Sequence, residues 1–284
     1  MADIPVADLH SHTTASDGEL SPEQLVDAAA AKGLQALAVT DHDAVASVPR
    51  AIEHGKTRGI EVISGCELTV YQGNIELHML ALFVDHRAPA FVALLEKMQM
   101  HRRERALAMA AKLREAGIAL DDADILEAAG GAASIGRPHV AAALIKRGHA
   151  RTINAAILNF LREGKPGFVE KFRLSAAEGF QAVHASGGVA LLAHPGIRPH
   201  DELISPLFQL GMDGIEAIYP SHSPVNRRFY MGLARRYEKL FCGGSDFHGP
   251  RVRPQTQVGD AGVDRATLEA LRRKAQSYAR SNHS

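Results

Sequence analysis

The stretch Asp8-Leu9-His10-Ser11-His12-Thr13, followed by Ser16-Asp17-Gly18, reads as the end of a short apolar strand over residues 4 to 9 that runs straight into ionisable side chains. His10 and His12 flank one residue on an extended segment. Both imidazoles therefore fall on the same side, where one metal ion can take both.

The arrangement recurs along the chain. Candidate strands at 36–40, 60–64, 189–193, 214–218 and 239–243 lead at once into Thr40-Asp41-His42-Asp43, Gly65-Cys66-Glu67, His194-Pro195, Tyr219-Pro220-Ser221-His222 and Gly244-Ser245-Asp246-Phe247-His248. A further strand, 75–84, carries His78 within it, on the same side as Glu76 by the period of two. Ala-rich helical stretches separate these strands. The first has Ser21 as N-cap, Pro22 at its first position and Gly33 at its end. Such alternation predicts parallel βα units, and in βα barrels catalytic side chains gather at the C-terminal strand ends. The scattered polar segments are thus expected to converge.

From about residue 98 to 172 the alternation stops. Between residues 100 and 173 the chain has 13 Lys and Arg against 8 Asp and Glu, although the whole protein is formally neutral. This predicts a small, basic helical domain, residues 99–172, covering the active site and inserted between barrel segments 1–98 and 173–284. The neutral total argues against a protein that coats nucleic acid. Cys66 and Cys242 are the only cysteines, which excludes a disulfide framework and a CxxC zinc site. Without a membrane-length apolar run or a leader pattern, a soluble cytoplasmic protein is expected, with no membrane partner and no obligate protein partner.

Singly, these residues have ordinary explanations. A strand histidine is more often structural, Asp17-Gly18 is a common turn, and Asp41-His42-Asp43 could cap a helix. Their joint occurrence carries the weight. Nine candidate ligands, His10, His12, Asp17, His42, Glu67, His78, His194, Asp246 and His248, exceed what one ion needs, so two or three divalent ions are implied. Imidazole and carboxylate without thiolate favour manganese, with iron or zinc as alternatives, over a calcium or magnesium cage. Glu67 is the expected bridge because its two oxygens can serve two metals.

Together these motifs resemble the PHP (polymerase and histidinol phosphatase) family. The resemblance implies a distorted seven-stranded TIM-like (β/α) barrel with a trinuclear site. One metal would be held by His10, His12, Glu67 and Asp246, a second by Glu67, His78 and His194, and a third by Asp17, His42 and His248. Within the family, Gly136-Arg137-Pro138-His139, Gly164-Lys165-Pro166-Gly167-Phe168-Val169 and Tyr219-Pro220-Ser221-His222-Ser223-Pro224 resemble the branch acting on nucleoside 3',5'-bisphosphates and on short RNA from its 5' end. The implied activity is removal of the 3'-phosphate of such bisphosphates, with 5'-3' exoribonuclease action on short RNA.

The expected chemistry is in-line attack on phosphorus by a hydroxide bridging the metals, with His194 or Asp246 handling a proton. Arg137, Lys165, Lys171 and Arg227 are candidates to grip a second phosphate, and Ser134, His139, Ser221 and His222 to contact substrate. His54, His86, His101, His149, His184, His200 and His283 are expected at the surface. Two other readings compete: a histidinol-phosphate phosphatase and, of a different kind, a nonhydrolytic polymerase accessory module, against which the complete ligand set stands.

Overall fold

A computed structural model describes residues 5–197 and 199–282. Seven strands form one sheet in chain order: β1 Ala7–Asp8, β2 Ala36–Val39, β3 Glu61–Gln72, β4 Ile75–Leu82, β5 Val189–Leu192, β6 Gly214–Ile218 and β7 Leu240–Gly243. The helices are α1 Pro22–Lys32, α2 Val48–Arg58, α3 Pro89–Glu115, α4 Asp122–Ala129, α5 Arg137–Lys146, α6 Ile153–Ala156, α7 Ala176–Ala185, α8 Ile204–Gln209, α9 Pro224–Arg236 and α10 Arg265–Ser281. The result is a distorted α/β barrel of TIM type.

Helix α1 forms as its sequence dictates: Ser21 and Gln24 make a capping box, Pro22 opens the helix, and Gly33 closes it in the left-handed region. Strand β1 is shorter than expected, and Ile4 lies outside the described residues. Past Asp8 the chain leaves the ladder to close the barrel against the exit of β7, through Leu9 N to Gly243 O (3.1 Å), Asp246 N to His10 O (2.8 Å) and His12 N to Phe247 O (2.9 Å). The buried Asp8 carboxylate accepts the amides of Ser245 and Gly259, both at 2.8 Å, across the same seam.

Two expectations are corrected. Strand β3 does not stop at residue 64 but runs on to Gln72, and β4 is antiparallel to both of its neighbours rather than parallel. Gly65 lets the strands approach closely and does not turn the chain: a Cβ would stand 2.9 Å from Thr40 Cγ2 and 3.1 Å from the Ala81 carbonyl. Glu67 therefore sits within a β3–β4 hairpin opposite Leu80, two register positions from the Thr69–His78 pair.

Period-two burial divides the hairpin. Leu77, Met79 and Ala81 of β4 face a cluster with Phe91, Leu95 and Met98 of α3 and Phe180 of α7. Leu80 and Leu82 face another, with Ala38, Leu191, Cys242 and, from α10, Leu268 and Leu271. A third cluster joins Ala106, Met109 and Leu113, farther along α3, to α4 and α5 through Ile125 and Leu144. Helix α3 thus starts ten residues before position 99 and packs in both cores. None of the helices among the described residues is long and apolar enough to cross a membrane, and both cysteines are free and buried.

Asp213, just before β6, ties three elements together. Its carboxylate accepts from His184 Nε2 (2.8 Å), Ala190 N (2.9 Å) and Tyr278 OH (2.7 Å). Burial alone would raise its pKa, but these bonds hold it below the ordinary value. The sign follows: this stabilisation is complete above the unfolded pKa of about 4 and is lost as pH falls through the folded value. Asp213→Ala is expected to cost about 2–4 kcal/mol in urea unfolding at pH 7, since it strands partners of a buried carboxylate. The deficit relative to the parent protein should shrink in acid; an unchanged deficit at pH 3 would contradict this role.

Candidate metal centre and its cleft

Strand ends and the hairpin deliver the nine candidate ligands to one place. Three groups of ligand atoms lie within metal-sharing distance: His10, His12, Glu67 and Asp246; His12, Asp17, His42 and His248; and His42, Glu67 and His78. The first matches the expected grouping. The second contains the expected third set, joined by His12. The remaining one differs, with His42 in place of His194, although His194 Nε2 lies 2.9 Å from Glu67 Oε1, beside His78 Nδ1 at 2.8 Å.

Glu67 is the hub. Its Oε2 stands 3.2 Å from both His10 Nε2 and His12 Nε2, and 3.1 Å from His42 Nδ1. Asp246 Oδ1 stands 3.4, 3.2 and 3.3 Å from His10 Nε2, His12 Nε2 and His248 Nδ1. Among the described residues, the buried side-chain polar atoms without a hydrogen-bond partner include His10 Nε2, both His12 nitrogens, Asp17 Oδ1, His42 Nδ1, Glu67 Oε2 and Asp246 Oδ1. Buried polar groups are ordinarily bonded, so this concentration requires an explanation. Ligands about 2.0–2.1 Å from a tetrahedral metal stand about 3.3–3.4 Å from one another, close to the spacing seen. The residues present fit divalent ions.

The electrostatics agree. Burial alone would raise Asp17, Glu67 and Asp246, yet the surrounding imidazoles, with Arg253 beside Asp246, hold all three well below the usual carboxylate range. Burial would lower His10 and His12, but the Asp246 and Glu67 carboxylates push both up, His12 to about 9. His42 is driven well below its ordinary value by burial. This much negative charge in a buried site suits cations. Backbone strain collects here too: Asp43, His194 and Asp246 have φ of 49°, 29° and 52°, a region few side chains adopt.

Several braces were not anticipated from sequence. Glu216 accepts from His10 Nδ1 (3.0 Å) and from the His194 amide (2.7 Å). Its signal was available, since an acid centred in Gly-Ile-Glu-Ala-Ile falls on the same side as Gly214 and Ile218 by the strand period. Tyr219 OH donates to Asp246 Oδ2 at 2.9 Å, and Arg253 Nη1 reaches the same oxygen at 2.8 Å. No pattern marks Arg253, which lies in a loop.

A cleft of about 180 Å³ opens on the centre, lined by His42, Glu67, His78, His194, Asp246 and His248 and also by Arg137 and Arg253. The other substrate-contact candidates fare unevenly. Lys171 sits beside the cleft, paired with Glu76 at 2.6 Å. Ser134 is buried with its hydroxyl unpartnered. His139 is buried and accepts the Gly136 amide. Lys165 and the exposed Ser221 do not line the cleft. His222 is a correction: Nδ1 bonds Ala217 O (3.0 Å) and Nε2 accepts from Gly196 N (3.1 Å), so backbone uses both nitrogens. Arg227 donates to the carbonyls of His222 and Tyr219 through Nε and Nη2 and does not line the cleft. His54, His86, His101, His149, His184 and His200 are half-buried rather than exposed, and His283 lies outside the described residues.

Comparison with known proteins fits this geometry. The PHP domain family model matches residues 8–130. The chain is 33% identical over 248 residues to a 3',5'-nucleoside bisphosphate phosphatase of Chromobacterium violaceum, covering 86% of this chain and 87% of that one. It is 35% identical over 254 residues to the 5'-3' exoribonuclease Rnm of Escherichia coli, covering 86% of each. A solved Bifidobacterium adolescentis structure, described as a metal-dependent phosphoesterase, superposes with a TM-score of 0.88 at 28% identity, covering 96% of this chain and 97% of that one.

Proposed function

The chain belongs to the PHP family and is a metal-dependent phosphoesterase, and from that premise we propose that it removes the 3'-phosphate of nucleoside 3',5'-bisphosphates. Attack on short RNA from the 5' end is the matching second activity, as in the relative named for it. The observation that carries the reading is a group of half-buried cationic side chains beside the metal centre.

Arg102, Arg105, Arg137 and Lys171 gather there. Arg102 pairs with Asp43 and donates to Thr69 Oγ1 at 3.0 Å, and its Nη1 stands 3.4 Å from where a Cβ on Gly136 would lie, at the start of α5. Arg105 donates to the Val169 carbonyl at 2.8 Å. The four groups feel one another: burial, with Arg137 and Arg102, pushes Arg105 down to about 10. Burial, opposed by Glu76 and assisted by Arg137 and Arg102, takes Lys171 to about 7. Arg102 pairs with Asp43 and Lys171 with Glu76, while Arg105 spends a donor on a carbonyl, so the cluster offers guanidinium donors of the kind that suit a phosphate dianion. A substrate with one phosphate at the metals and another here satisfies both ends.

Divalent ions, with manganese proposed and iron or zinc as alternatives, would be held by His10, His12, Asp17, His42, Glu67, His78, His194, Asp246 and His248, supplying Lewis-acid charge and an acidified water as nucleophile. The chain's own groups orient and shield the site. With Oδ1 facing the imidazoles and Oδ2 committed to Tyr219 and Arg253, Asp246 has no free oxygen to handle the leaving-group proton. Residues 99–172 would act as the unit that covers the cleft, between barrel segments 1–98 and 173–284.

Arg105→Ala is the test, because Arg105 lies outside the metal groups. The kcat/KM for adenosine 3',5'-bisphosphate is expected to fall about 10- to 100-fold, the value of a charged hydrogen bond, while p-nitrophenyl phosphate turnover changes little. Equal losses on both substrates would sink the second-phosphate reading.

A further inference from the structure

We propose that Arg253 is a catalytic residue that grips the scissile phosphate itself, with Tyr219 as its positioning partner. The inference rests on the phosphoesterase chemistry and not on the second-phosphate reading.

The Asp246 carboxylate is divided. Its Oδ1 faces His10, His12 and His248 and has no hydrogen-bond partner, as a metal ligand requires. Its Oδ2 is held on the other side by Tyr219 OH at 2.9 Å and Arg253 Nη1 at 2.8 Å, and Arg253 Nη1 also donates to the Tyr219 oxygen. A guanidinium has five N–H donors in a rigid fork. Nη1 accounts for the contacts to Asp246 and Tyr219; Nε and Nη2 make no hydrogen bond among the described residues. The side chain is one-third exposed (33%) and lines the cleft that opens on the metal centre.

The fork is therefore anchored at one end and unsatisfied at the other, with the free end at the cleft. Paired N–H groups match two non-bridging phosphoryl oxygens. An arginine fixed to a metal ligand keeps register with the metals, so its donors meet the phosphate whose charge rises in the transition state. Tyr219, buried at the end of β6, holds Oδ2 and the guanidinium together.

The test compares Arg253→Ala, Arg253→Lys and Tyr219→Phe in the metal-loaded enzyme. Arg253→Ala is expected to lower kcat about 10²- to 10³-fold, the effect of losing one preorganised donor. The loss should be alike on p-nitrophenyl phosphate and adenosine 3',5'-bisphosphate, with metal content unchanged and competitive inhibition by inorganic phosphate weakened. Arg253→Lys should recover part of kcat, because one charged donor returns. Tyr219→Phe should lower kcat less and leave phosphate inhibition in place. Metal loss in Arg253→Ala, with phosphate inhibition intact in the protein that keeps its metal, would reduce Arg253 to a brace for Asp246 and overturn the proposal. So would a loss confined to the bisphosphate, or Arg253→Lys no better than Ala. Failure of the Arg105 test leaves this result untouched, since p-nitrophenyl phosphate has no second phosphate.

Discussion

Glu67→Gln is expected to lower kcat by about 10³-fold or more and to leave the purified protein short of metal. The amide keeps the shape of the carboxylate and removes its charge. Glu67 is the one residue whose oxygens meet five of the imidazoles: His10, His12 and His42 on Oε2, and His78 and His194 on Oε1. A glutamine offers one acceptor and one donor, and the donor points at nitrogen atoms that must be lone-pair ligands when metal binds. Metal charge at a phosphoryl centre is worth several kcal/mol, and each 1.36 kcal/mol is tenfold in rate, hence about three orders of magnitude. Metal analysis and steady-state phosphate release on the same preparation check it. Full metal content with more than about a tenth of parental kcat would rule out a shared bridging role.

Asp41→Ala should be the most destabilising single change around the site, by about 3–5 kcal/mol, although Asp41 belongs to none of the metal groups. Its fully buried carboxylate accepts Thr13 N, Thr13 Oγ1 and Ser16 Oγ, each at 2.7 Å, and also the Ser47 hydroxyl. Truncation strands one amide and three hydroxyls away from water. Those bonds pin the turn that presents Asp17, so the group of His12, Asp17, His42 and His248 should lose affinity for metal as well. Urea unfolding and metal titration measure the two effects separately. A loss under 1 kcal/mol would show that the turn holds without its carboxylate.

The candidate ligand set was legible because all but Glu67 and His78, which lie within the hairpin, follow an apolar strand segment, and strand ends of a barrel converge whatever the loops do. His78 was legible by period: it shares a side with Glu76, and the hairpin register then sets its pair two positions from Glu67, on the same face. The hairpin itself was not legible. Gly65 has two physical uses, turning the chain or letting another strand approach, and only the packed Thr40 and Ala81 decide between them. Asp41 read as a cap because its partners are supplied by a different segment. His222 and Arg227 had the chemistry of phosphate ligands, but their polar atoms went to nearby carbonyls and an amide, a competition that composition does not show. Arg102 and Arg105 were one stripe of a basic helix until the fold set them with Asp43, Thr69 and Lys171 around a small pocket of their own.

Helix α3 draws a last consequence. Its first turns are seated with Phe91, Leu95 and Met98 in the barrel core, its later turns with Met109 and Leu113 in the helical core, and Arg102 and Arg105 lie between. An unbroken helix advances 1.5 Å per residue and resists bending. It works as a caliper arm that holds the guanidinium pair at a fixed distance from the barrel core, so on the bisphosphate reading proposed above the span between an anion's two charged ends would be gauged before any base is inspected.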